Sequence, residues 1–143
     1  MVDVTAKDET LRVAVAKGRV VMKPETLRLL QSGEIVKGNV LTTAQVAGTM
    51  AAKKTSELIP MCHPLLLTGI EVELTPDEAA GAIEITATVR TTGKTGVEME
   101  ALTAVAVAGL TVYDMCKAID RGMQVEAVRL VSKTGGKSGD WHA

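Results

Sequence analysis

Two alternating runs, GIEVEL (69–74) and AIEITATVR (82–90), flank the turn-forming stretch TPDEAAG (75–81). A period of two over this length is the pattern of half-buried strands, and so short a connection makes the pair an antiparallel hairpin. Ile70, Val72 and Leu74 face one way, and Ile83, Ile85, Ala87 and Val89 do the same. The opposite faces carry polar residues, so the sheet has one wetter side and needs a covering layer on the other.

The remaining segments supply that layer. LRVAVAKGRVVM (11–22) reads as a β-branched strand, bulged near Lys17–Gly18, after a polar arm over residues 1–9. Pro24 opens a short helix that Gly33 closes. A second helix falls within 38–58, with Val40, Ala44, Ala47 and Ala51 near one face. Two prolines exclude regular helix from IPMCHPLLL (59–67). The longest helix is Ala-rich and covers 97–119. Gly122 stops it, and QVEAVRLVSK (124–133) is the last strand. The order β-α-α-β-β-α-β predicts an α+β, ferredoxin-like sandwich: a four-stranded antiparallel sheet with helices on one face, in a single domain over 1–143.

The chain has one Trp, one Tyr and no Phe, so its core must be aliphatic. Nucleic-acid binding through stacked aromatics is disfavoured, and a net charge of −1 provides no basic field for DNA or a membrane surface. Cys62 and Cys116 are the only cysteines. Two thiols without a further framework suit a reduced, cytoplasmic protein. The first ten residues, MVDVTAKDET, do not resemble a signal peptide.

Two glycine-lysine triads invite a comparison with phosphate loops: Gly93-Lys94-Thr95 and Gly136-Lys137-Ser138. A P-loop requires a glycine five positions before its Gly-Lys pair. Those positions hold Thr88 and Val131, so both triads fail. The first triad does precede a helix N-terminus, but Glu98 and Glu100 occupy the first turn and would repel phosphate. Carboxylates there fit ordinary helix-end electrostatics, or acceptance of hydrogen bonds from a purine-like edge.

Asp114 and Lys117 lie at i, i+3 on one helix face, as a surface ion pair or as a coupled acid and base. Cys62 and His63 are adjacent in MCHP, without the usual zinc spacing. His63, in a proline-stiffened loop, suits binding, proton transfer or a structural role. Lys53–Lys54 end the second helix, where cations complement its dipole. Glu98 and Asp114 are sixteen positions apart on one helix, roughly 24 Å. They can share one small site only if two copies of the helix meet antiparallel about a two-fold axis.

Taken together, KKTSELIPMCHPLLL, TGKTGVEMEALTAVAVAGLTVYDMCKAID and VRLVSKTGGKSGD resemble the cyclic pyranopterin monophosphate synthase family, the C protein of molybdenum-cofactor biosynthesis. The resemblance runs from MVDV to Asp140. It implies a hexamer built as a trimer of dimers, with sites at the dimer interfaces. It implies a phosphorus–oxygen lyase that converts 3′,8-cyclo-7,8-dihydro-GTP into cyclic pyranopterin monophosphate and releases pyrophosphate. No cofactor is required by that chemistry, and Mg²⁺ accompanying the triphosphate is left open. The matching motifs imply catalytic roles for Asp114, Lys117 and Lys37. They place Met61, Cys62, His63, Met99 and Glu100 in the substrate-binding segments, with Glu98 beside them, and leave Lys133 and Lys137 to hold phosphates as point charges. The alternative class is a non-catalytic, nucleotide-binding regulatory oligomer of similar fold, which needs a pocket but no acid–base pair.

Overall fold

A computed structural model describes all 143 residues. Its elements are β1 (Thr10–Val21), α1 (Pro24–Ser32), α2 (Val40–Lys53), α3 (Thr55–Leu58), β2 (Leu67–Asp77), β3 (Ala82–Gly93), α4 (Glu98–Cys116), β4 (Gln124–Thr134) and β5 (Trp141–His142). The five strands form one antiparallel sheet in the order β2-β3-β1-β4-β5. The architecture is α+β and roughly ferredoxin-like.

The expected four-strand sheet is thus corrected to five. β5 is two residues long and pairs Trp141 with Lys133 and His142 with Ser132. So short a strand has no readable period. It is delivered by the turn through Gly135, Gly136 and Gly139, all at positive φ. The second correction is α3, which separates from α2 where Lys54 leaves helical geometry. The bulge near Lys17–Gly18 is real as a register shift, but the extra residue belongs to β4. There Ala127, at φ 53, is the one non-glycine residue with positive φ. The longest helix also ends at Cys116 rather than at 119, because the chain turns there with the Ile119 and Asp120 N–H groups bonded to the Cys116 carbonyl.

The core is a single cluster of 24 buried residues between the sheet and the helices. Ala14, Ala16 and Val20 of β1 and Ile83, Ile85, Ala87 and Val89 of β3 face it. α4 lies over β1, β3 and β4, and α2 packs on α4 and β2. Val105 and Val112 of α4 are fully buried, each worth about 1.5–3 kcal/mol of apolar transfer. The helices meet closely because Gly48, not Ala47, faces α4. A Cβ at Gly48 would sit 3.0 Å from the Ala104 carbonyl oxygen. By length and composition α4 could cross a membrane, but more than half of it is buried in the core of this fold.

Two polar devices fix the frame. Asp120, 2% exposed, accepts hydrogen bonds from the backbone N–H of Lys23 and Gly122 and from the Thr26 hydroxyl. It thereby ties the end of α4 to the start of α1. Its carboxyl is lowered in pKa: burial opposes this, and the three donors outweigh the burial. On the exposed edge of the sheet, the Gln45 side-chain amide donates to the Val72 carbonyl at 2.9 Å and satisfies an outward-facing group.

Candidate active site at the two ends of α4

Asp114 lies in the last turn of α4, where its side chain is half-exposed. Lys117 follows one turn later and brings Nζ to 2.8 Å from Oδ1. Lys37 arrives from a distant segment. Gly33 closes α1 in the left-handed conformation, buried Ile35 anchors the chain, and the Gly38 N–H returns to the Ile35 carbonyl. This compact turn delivers Lys37 Nζ to 2.8 Å from Asp114 Oδ2 and 3.1 Å from the Asp114 carbonyl oxygen. Each carboxylate oxygen therefore holds one ammonium group. The hydrogen bonds from Lys117 and then Lys37 lower the Asp114 pKa to about 2, and the same contact raises that of Lys117. At neutral pH Asp114 is ionised and holds two ammonium groups within hydrogen-bond reach.

The other end of α4 carries a different set. Met61, Cys62, His63, Leu65, Thr95, Gly96, Glu98, Met99 and Glu100 line a cleft of about 150 Å³. Glu100 is only 4% exposed, and burial followed by repulsion from Glu98 raises its pKa. The Cys62 thiol is also pushed up, by burial and then by Glu100, which keeps it from acting as a ready thiolate. The His63 ring Nε2 lies 2.8 Å from the Val2 carbonyl of the N-terminal arm. Lys133 Nζ is 3.0 Å from Glu98 Oε1 and joins this cleft to a basic hollow of about 130 Å³ that also holds Lys7, Arg12 and Ser138. Lys137 lines an adjoining, larger hollow with Lys7, Asp8 and Arg12.

All eleven expected site residues thus fall in two groups. Lys37, Asp114 and Lys117 form one. Met61, Cys62, His63, Glu98, Met99, Glu100, Lys133 and Lys137 form the other. The groups are not brought together within one chain, because α4 separates them by roughly 24 Å. The groove between α2 and β2 is larger than either small hollow, about 590 Å³, but holds none of these residues.

Arg12 is a residue that motif reading passed over. It is 9% exposed, donates from Nε to the Gly93 carbonyl at 2.8 Å, and faces the basic hollows. Its signal was parity: Arg12 shares the face of Ala14, Ala16 and Val20, and a guanidinium on a core-facing position requires a polar environment. Gly136 makes room for it, since a Cβ there would meet Arg12 Nη1 at 2.1 Å. No set of three or more His, Cys, Asp or Glu side chains comes together as a metal site.

An antiparallel sheet covered by two long helices, with a carboxylate–lysine cluster at one end of the longest and a cleft beside a basic hollow at the other, defines the class: a roughly ferredoxin-like α+β protein with charged clusters at both ends of its longest helix. The chain belongs to the MoaC family, whose model matches residues 1–136. It is 64% identical over 141 residues to the cyclic pyranopterin monophosphate synthase of Roseiflexus sp. (strain RS-1), covering 99% of this chain and 89% of that protein. It is 64% identical over 143 residues to the protein of the same name from Rhodospirillum rubrum, covering 100% and 86%. The Chloroflexus aurantiacus protein of that name is 62% identical over 141 residues, covering 99% and 86%.

Proposed function

We propose that this protein is a cyclic pyranopterin monophosphate synthase of molybdenum-cofactor biosynthesis. It takes 3′,8-cyclo-7,8-dihydro-GTP to cyclic pyranopterin monophosphate and pyrophosphate. The observation that carries the mechanism is the Asp114 carboxylate clamped between Lys37 and Lys117. Opening a purine ring and closing a pterin require repeated proton transfers, and the cluster gathers one carboxyl and two amines within hydrogen-bond reach of one another for them. The buried end of the cleft, with Cys62, His63 and protonatable Glu100, suits the base portion. Lys133, Lys137, Arg12 and Lys7 suit the triphosphate, whose cyclisation breaks one phosphorus–oxygen bond and expels pyrophosphate. Any Mg²⁺ would be carried mainly by phosphate oxygens.

The working unit in this reading is at least a dimer. A cleft of about 150 Å³ is below the ~300–1,000 Å³ usual for small-molecule sites, and the Asp114 cluster lies at the far end of α4 from it. Met99, Leu102, Ala106 and Leu110 form an incompletely buried stripe along α4, between the two groups of site residues. Antiparallel packing of two such stripes would seat Asp114 and Lys117 of one chain against the Glu98 end of its neighbour. Assembly of three dimers into a hexamer, and a cytoplasmic location, complete the proposal.

The test is turnover of the cyclised GTP substrate, read as released pyrophosphate and as pterin absorbance. Asp114→Asn and Lys117→Ala should each lower turnover by ~10²–10⁴-fold with the fold intact. Wild-type rates in either variant would reduce the cluster to a surface ion network.

A further inference from the structure

The backbone of the segment carrying Cys62 and His63 makes few hydrogen bonds, while Leu65 within it packs against the core. At its start the Ile59 N–H bonds to Thr55 and the Cys62 N–H to Ile59. Pro60 and Pro64 have no N–H to offer. Over residues 63–66, one hydrogen bond ties the backbone to the sheet: the Thr91 hydroxyl donates to the Leu66 carbonyl at 2.6 Å. Thr91 lies near the end of β3, is 1% exposed, and pairs across the sheet with Arg12 on one side and Leu67 on the other. The β2–β3 register shifts between Leu67 and Gly69, so ladder pairing does not hold the segment's exit in a regular way. Leu66 itself is 86% exposed and contributes little packing.

We propose that Thr91 is a positioning residue for the reaction: its buried hydroxyl sets the height of the 59–66 segment, and so of His63 and Cys62, over the cleft. The proposal rests on the reading of His63 as a substrate-site residue. A strand position with a core-facing side chain needs only an apolar β-branched residue, which valine would supply with the same shape. The hydroxyl's hydrogen bond goes to the Leu66 carbonyl, which valine could not serve.

Thr91→Val removes that bond and keeps the shape, whereas Thr91→Ser keeps the bond. Turnover of the cyclised GTP substrate should fall about 10- to 100-fold in Thr91→Val, the scale on which slight misplacement of reacting groups is felt. It should recover in Thr91→Ser. Affinity for inorganic tripolyphosphate should be unchanged in both, because Lys133 and Lys137 are untouched. In a His63→Ala background, Thr91→Val should add little further loss, since the two act through one element. Wild-type turnover in Thr91→Val, an equal loss in the His63→Ala background, or a parallel loss of tripolyphosphate affinity would each overturn the proposal. Full activity in His63→Ala alone would instead remove the reading on which it rests.

Discussion

At the scale of single residues, charge environment decides which groups hold protons. Asp114 is kept at about 2 by two ammonium groups, so removing either should let its pKa climb back toward 3.8. Carbon-13 NMR of the labelled carboxyl should record an upward shift in both Lys37→Ala and Lys117→Ala, larger for Lys117. An unchanged titration would mean the clamp is absent in solution. Glu100 behaves in the opposite sense, because burial raises its pKa above 4.5. A carboxyl raised in the folded state favours folding below its unfolded pKa and loses that advantage as pH rises through its folded pKa. Glu100→Gln should therefore raise the melting temperature at pH 7 and change it little at pH 4. A lower melting temperature at pH 7 would show that the charged form is stabilised where it sits. If that stabilisation exists, it comes from the N-terminus of α4.

At the scale of elements, the site depends on how α4 is held. Its two ends carry the candidate residues while its middle packs on the sheet and on α2. Gly48 is where the helices touch: its added Cβ would lie 3.0 Å from the Ala104 carbonyl and 3.2 Å from Val72 Cγ1. Alanine gains ~1 kcal/mol in helix propensity, but overpacking against backbone costs ~1–3 kcal/mol, and backbone cannot turn aside as a flexible side chain can. Gly48→Ala should thus lower stability by up to about 2 kcal/mol, or up to roughly 8 °C in melting temperature. A rise on thermal denaturation would mean that α2 has room to slide. Asp120 acts at the same scale, joining the end of α4 to the start of α1, whose far end presents Lys37.

At the scale of the molecule, α4 holds the two groups of candidate residues roughly 24 Å apart. The proposed two-fold pairing predicts complementation between two inactive variants, Glu100→Ala and Asp114→Ala. After subunit exchange, mixed dimers would hold one intact site and one doubly damaged site. Activity should climb from near zero toward about a quarter of wild type for random mixing of equal amounts. No recovery, with exchange demonstrated independently and each parent inactive, would place every site within one chain.

The sequence by itself determined most of the elements and which residues are candidates for the site. Alternation at 69–74 and 82–90 set the hairpin and its buried face, proline and glycine bounded α1, and the i, i+3 spacing placed Asp114 beside Lys117. The joint motifs placed the chain in its family before any coordinates. These are local or periodic signals, and short-range backbone sterics and side-chain period encode them directly. Even Arg12 was legible in principle, as a charge on the buried parity of β1. What tertiary structure alone decided was which remote residues meet. Lys37 reaches Asp114 across 77 positions of chain only because α1, Ile35 and α4 share one core. The Thr91–Leu66 bond, the bulges of β4 and the two-residue β5 follow from register and the turn at Gly135–Gly136, where a Cβ on Gly135 would strike the Leu11 carbonyl oxygen at 2.1 Å. No local pattern carries such facts, because each depends on where another element's backbone has already been fixed by packing.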